Sequence, residues 1–225
     1  MNVSEVFGPT LQGEGPSAGQ PAAFLRLGGC NLACSWCDTP YTWDASRFDL
    51  REEITSTDDN TIAAQLLAMS VDRLVITGGE PLLQQRRLVQ FLPEIAYAFP
   101  HVEIETNGTQ APDTDLLPLV EQFNVSPKLA HAGNGDKAIV PAVLRAFERT
   151  GKAVFKFVVA TPADLCEVDQ IVAESGLTDV WLMPEGTKPE VLADRLGWVC
   201  DAALKRGWSA SSRLHILAWN DERGR

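Results

Sequence analysis

Short apolar runs rich in β-branched and aromatic residues alternate along this chain with longer stretches in which apolar residues recur every three or four positions. Side chains repeat every two residues on a strand and every 3.6 on a helix, so the alternation predicts β-strands joined by crossover helices. The strand candidates are AAFLRL (22–27), RLVIT (73–77), HVEIE (101–105), FNVS (123–126), AVFKFVVA (153–160), DVWLM (179–183) and RLHILA (213–218). Helical periodicity covers NTIAAQLLAM, LLQQRRLVQFLPEIAYAF, AIVPAVLRAFERT, PADLCEVDQIVAES and KPEVLADRLGWVCDAALKRG between them. Pro93 and Pro141 predict a kink or a later start in two of these helices, because proline has no amide proton to give an interior turn. The expected fold is α/β with a mostly parallel sheet. No repeat, low-complexity tract or Gly/Ser linker breaks the pattern, so residues 1–225 are expected to form one domain.

In sheets of this kind ligands bind beyond the carboxyl ends of the strands. Those ends read GGC, GGEP, TNGT, SPK, TP, PEG and WN. Glycine, proline and small polar residues are ordinary turn chemistry. Glu80, Asn107 and Lys128 are not required by turns, and they point to a shared site.

Composition narrows the function classes. Apolar residues make up 45% of the chain and charged residues 22%, ordinary values for a globular protein. Thirty acidic against nineteen basic side chains give a net charge of −11 with no Lys/Arg run, which argues against a nucleic-acid partner. The amino terminus lacks a leader pattern, and no stretch reaches the roughly 18 apolar residues of a membrane span. A cytoplasmic protein without a membrane partner is expected. Of five cysteines, three crowd into GGCNLACSWCDTPYTW (28–43), which suits a metal or redox site better than a disulfide framework.

Cys30, Cys34 and Cys37 form C-x3-C-x2-C directly after the strand at 22–27. Thiolates hold iron–sulfur clusters and structural zinc, but structural zinc is nearly always closed by four protein ligands. No fourth ligand suggests itself. Cys166 and Cys200 lie in amphipathic stretches, where a lone cysteine is a small hydrophobe, and His101, His131 and His215 are isolated. A four-iron cluster on three cysteines leaves one iron open for a small molecule. A zinc-stabilised, non-catalytic binding module is the alternative.

The motif, with aromatic Trp36 just before Cys37, resembles the signature of the radical S-adenosylmethionine (SAM) enzymes. The resemblance implies a 4Fe-4S cluster whose unique iron chelates SAM, and an electron from the cluster that cleaves the cofactor to a 5′-deoxyadenosyl radical. It also implies a partial TIM-like (β/α)6 barrel. TGGEP (77–81) matches the motif whose backbone meets the methionyl amino group, and ETNGT (105–109) and SPK (126–128) stand where members contact the ribose and carboxylate. On this basis Trp36, Cys37, Asp38, Gly78, Gly79, Glu80, Thr106, Asn107, Ser126, Pro127, Lys128 and Pro184 are the expected cofactor-binding positions.

VFGPTLQGEG (6–15), FLRLGGCNLACSWCDTPYTW (24–43) and SPK together are similar to the 7-carboxy-7-deazaguanine synthase family. Members rearrange 6-carboxy-5,6,7,8-tetrahydropterin, release ammonia and need magnesium. The similarity makes Leu11, Gln12, Gly13 and Glu14 a pterin-contacting turn, Arg26 the partner of the substrate carboxylate, Thr77 a substrate contact and Thr39 a Mg2+ ligand. An arginine fork suits a carboxylate, and magnesium takes oxygen ligands while keeping several waters. A flavodoxin- or ferredoxin-type electron donor and a homodimer are further implications. The competing member of the superfamily is an activating enzyme that installs a glycyl radical on a protein, which has no need of QGEG or Arg26.

Overall fold

The computed structural model describes residues 1–225. Strands β1 (Asn2–Leu11) and β2 (Pro21–Leu27) pair antiparallel, and β3 (Thr55–Ser56) adds to the free edge of β1. From β2 the sheet continues in parallel through β4 (Arg73–Gly78), β5 (His101–Thr106), β6 (Gln122–Val125), β7 (Ala153–Val159), β8 (Val180–Pro184) and β9 (Ser209–Ala210). The order β3-β1-β2-β4-β5-β6-β7-β8-β9 leaves β3 and β9 at opposite edges, so the partial barrel stays open.

The helices are α1 (Leu50–Glu53), α2 (Asp59–Leu67), α3 (Gln85–Ile95), α4 (Pro141–Glu148), α5 (Asp164–Ser175), α6 (Pro189–Arg206) and α7 (Leu214–Trp219). Pro141 starts α4 at its first position, where its missing amide proton costs nothing, whereas Pro93 sits inside α3. The stretch RLHILA, expected as a strand, is a correction: Leu214–Trp219 forms α7. A short apolar run does not distinguish strand from helix by periodicity. Here Ile216 is buried while His215 packs on Gly13, a division of faces that a helical turn supplies. The expectations also lacked β1. Its Gly8-Pro9 pair reads as a strand breaker, but it falls within a register shift between Phe7 and Thr10, where proline is tolerated.

Strand pleating sorts side chains onto two faces. Leu25, Ile76, Ile104, Phe123, Phe155 and Leu182 point outward and pack in one cluster with Leu66, Phe91, Phe147, Val168 and Val199 of α2 to α6. Each such side chain, fully buried, contributes about 1.5–3 kcal/mol. The opposite parity presents Arg26, Thr77, Glu105, Asn124, Lys156 and Met183, all lining one interior cavity.

Candidate active site

The cysteine loop leaves β2 and is zipped to the end of β4. Gly79 donates to the Leu27 carbonyl (3.0 Å) and Glu80 to the Gly29 carbonyl (2.8 Å). A Cβ on Gly79 would stand 2.1 Å from the Gly29 oxygen, so only glycine permits this approach. Glu80 is fully buried and does not line the cavity. Its carboxylate accepts from Leu82 N (3.0 Å), Thr106 Oγ1 (2.8 Å) and Asn107 N (2.7 Å), tying the ends of β4 and β5 together. Burial pushes its carboxyl pKa up.

Cys30, Cys34 and Cys37 are free thiols on one wall of the cavity. Each sulfur meets a hydrogen-bond donor: Leu32 N at Cys30 (3.5 Å), Asn134 Nδ2 at Cys34 (3.1 Å) and Trp43 Nε1 at Cys37 (3.3 Å). Burial raises the Cys30 thiol to about 11 and also raises Cys34, where Lys128 and Asn134 oppose it. No group of three or more His, Cys, Asp or Glu side chains converges on a point as a single metal ion requires. Three spaced thiols with N–H donors and an open side fit an iron–sulfur cluster better than closed zinc.

Deeper in, Glu14 is held by Lys156 and by Arg213 (Nε to Oε1, 2.8 Å), and Arg213 also grips Asp38. Burial opposes ionisation of Glu14, but Lys156 and Arg213 outweigh it and hold its carboxyl well below the usual range. Asp38, more exposed, is also lowered, its partial desolvation outweighed by Arg213. Lys156 is raised: burial works against its charge, and Glu14 and Glu105 more than compensate. Gln12 donates to Glu105 (3.1 Å) while its carbonyl accepts from Gly13 N (2.7 Å), and Thr77 donates to the other Glu105 oxygen (2.7 Å).

Arg26 pairs with Glu5 (2.8 Å) and lies over the Phe7 ring. Glu5 also accepts from Tyr41 (3.0 Å) and Arg223 (2.5 Å), and Arg223 stacks on Tyr41 at 3.9 Å. Near the cysteines, Trp36 stacks on His131, with Lys128 over the indole and bonded to Ser126 Oγ (2.8 Å).

The cavity has two lobes that share Glu14, Arg26, Asp38, Thr39, Thr77, Glu105 and Arg213. The cysteine lobe also holds Trp36, Gly78, Gly79, Thr106, Asn107, Ser126 and Lys128, and the other lobe holds Leu11, Gln12 and Gly13. Pro127 and Pro184 do not line it; Met183, Glu185 and Gly186 do. Sequence reasoning missed Glu105, Asn124, Lys156, Arg213 and His215. Glu105, Asn124 and Lys156 carried a signal, a polar residue within an otherwise apolar strand, as Lys156 in AVFKFVVA, whereas Arg213 and His215 stood in a run read as a strand.

The family described as "4Fe-4S single cluster domain" matches residues 11–126. A 7-carboxy-7-deazaguanine synthase from Pyrobaculum aerophilum is 40% identical over 100% of this chain and 97% of its own length. The chain belongs to the 7-carboxy-7-deazaguanine synthase family. A second synthase of this name, from Halobacterium salinarum, is 35% identical over 98% of the chain and 91% of its own length. Among solved structures, QueE from Escherichia coli matches with a TM-score of 0.68 at 29% identity, covering 95% of this chain and 94% of that one. Streptococcus suis SuiB shares the fold, at 14% identity and a TM-score of 0.57 over 84% of this chain and 49% of its own. Membership of the synthase family, with the 4Fe-4S cluster model over residues 11–126, makes the chain an iron–sulfur, radical SAM enzyme acting in 7-deazapurine synthesis. No helix is long and apolar enough to cross a membrane.

Proposed function

We propose that this chain converts 6-carboxy-5,6,7,8-tetrahydropterin to 7-carboxy-7-deazaguanine with release of ammonia, using SAM catalytically. The observation that carries the reading is the two-lobed cavity, in which the cysteine wall and the turn at Leu11–Glu14 share a floor of charged groups, Glu14, Arg26, Asp38, Glu105 and Arg213. When bound, the cluster and SAM supply a radical that abstracts hydrogen from carbon. The residues of the chain bind and orient. Trp36, Asp38, the backbone at Gly78 and Gly79, Thr106, Asn107, Ser126 and Lys128 face the cofactor, with Glu80, Pro127 and Pro184 shaping the wall behind. Arg26 takes the substrate carboxylate, and Leu11, Gln12, Gly13, Glu14 and Thr77 take the pterin ring. Thr39 offers its hydroxyl to Mg2+, completed by waters and substrate oxygens.

Glu14, held ionised by Lys156 and Arg213, presents a fixed acceptor to ring N–H groups, and Glu105 lines the same floor. Preorganised dipoles of this kind orient a substrate without reorganising during the reaction. A glycyl-radical activating enzyme would leave this charged floor without a use. The reading extends to a flavodoxin- or ferredoxin-type donor, a homodimer and a cytoplasmic location.

Anaerobic reconstitution followed by incubation with SAM, reductant, Mg2+ and carboxytetrahydropterin tests it. The expected result is a deazapurine carboxylate and ammonia, with Mg2+ chelation suppressing turnover. Absence of that product with an intact cluster overturns the substrate assignment.

A further inference from the structure

We propose that Asn134 is a positioning residue that sets the reduction potential of the cluster through a hydrogen bond from its amide to the Cys34 sulfur. It stands in the loop after β6, 100 residues from Cys34 and outside every motif that marks the family resemblance. The orientation of its amide is fixed by its neighbours. Asn134 Oδ1 accepts from Ala33 N at 2.8 Å, and an amide N–H demands an acceptor, so the NH2 end faces Cys34 Sγ at 3.1 Å.

The loop that carries it is anchored on both sides. Ala132 O accepts from Ser35 N (3.0 Å), His131 O accepts from Ser35 Oγ (3.2 Å), and the Glu167 carboxylate of α5 accepts from Ala130 N (3.0 Å). The Trp36 ring lies on His131 at 5.6 Å. The donor is therefore held in place before any electron arrives.

An N–H dipole aimed at a ligand sulfur stabilises negative charge there. The reduced cluster carries one electron more than the oxidised one, so the bond favours reduction and raises the potential. One electron is taken from the external donor; no bond to the protein is made or broken. Asn134 thus sets how strong a reductant the chain requires and how strong a reductant its cluster becomes.

The inference rests on the three cysteines holding a cluster, and the test separates the two. Wild type, Asn134→Ala and Asn134→Asp are reconstituted without oxygen, assayed for iron and sulfide, and titrated redox-chemically with EPR detection in the absence of SAM. Asn134→Ala is expected to keep its iron and to be reduced about tenfold less favourably, a negative shift of about 59 mV for one electron. Asn134→Asp keeps the acceptor for Ala33 N but replaces the donor with a negative charge, and it is expected to shift further in the same direction. A wild-type potential in either iron-replete variant overturns the proposal, as does loss of the cluster from both, which would make Asn134 an assembly residue. If the wild type takes up no cluster, the family reading fails instead.

Discussion

The two faces of the sheet are built to opposite rules. The outer face is one apolar cluster running from Leu25 to Leu182 beneath the helices. The inner face carries Arg26, Glu105 and Lys156, and meets Glu14 and Arg213 from outside the sheet. Parallel strands are usually buried on both sides and read as near-continuous apolar runs. Taking ions out of water costs several kcal/mol each, and mutual attraction compensates only where geometry is good. The inner face is therefore an expense in stability that chemistry retains, while the outer face supplies the stability.

That contrast can be broken most severely at the cavity wall. Cys34→Ala is expected to remove all bound iron and all activity while leaving the unfolding midpoint near wild type, as iron assay and thermal denaturation would read. On the outer face, Phe157→Ala is expected to cost about 3–5 kcal/mol in denaturant unfolding, because Phe157 is fully buried, with activity per folded molecule retained. On the inner face, Lys156→Met strands part of the Glu14 charge and is expected to cost about 3 kcal/mol and most activity. Adding Glu14→Gln should restore stability but not turnover; restoration of both would erase the distinction between the faces.

The pH dependence belongs to the inner face as well. Burial holds the His215 imidazole below its ordinary value, with Arg213 adding to the effect and Glu14 opposing it. The unfolded chain then binds the proton more readily, so this contribution is complete above about pH 6.5 and is lost as pH falls through the lowered folded value. Glu14 and Asp38, also depressed, lose theirs only below the ordinary carboxylate range. His215→Gln is expected to flatten the upper part of the acid limb in unfolding measurements, whereas Phe157→Ala keeps the whole limb. Smallest of all, Cys166→Ala and Cys200→Ala are expected to leave iron content unchanged and stability within about 0.5 kcal/mol. Iron loss in either would reveal a fourth protein ligand.

Most of the outer face was legible in the chain, because its strands announce themselves as β-branched runs and its helices by periodicity. The cysteine loop stood out in the chain too, and its three thiols share one cavity wall. The inner face was harder. Glu103 and Glu105 in β5 register with Gln122 and Asn124 in β6, and that alignment exists only once strands are paired. Glu103 then bonds Ser17 (2.5 Å) and Asn124 (3.0 Å) beneath the cavity. Arg213 and His215 were hidden by the strand-like look of RLHILA. Folded as the start of α7, that segment puts the His215 ring where a side chain on Gly13 would stand, only 1.8 Å from the hypothetical Cβ.

The Arg213 clamp also imposes an order on synthesis. Glu14 emerges from the ribosome 199 residues ahead of its partner, and Asp38 emerges 175 residues ahead. At about 5–20 residues per second, the first interval lasts roughly 10–40 s. For most of it the three thiols are already made while Arg213 is not. The tether between the cysteine loop and the far wall, Asp38 to Arg213, is therefore among the last contacts the chain can make.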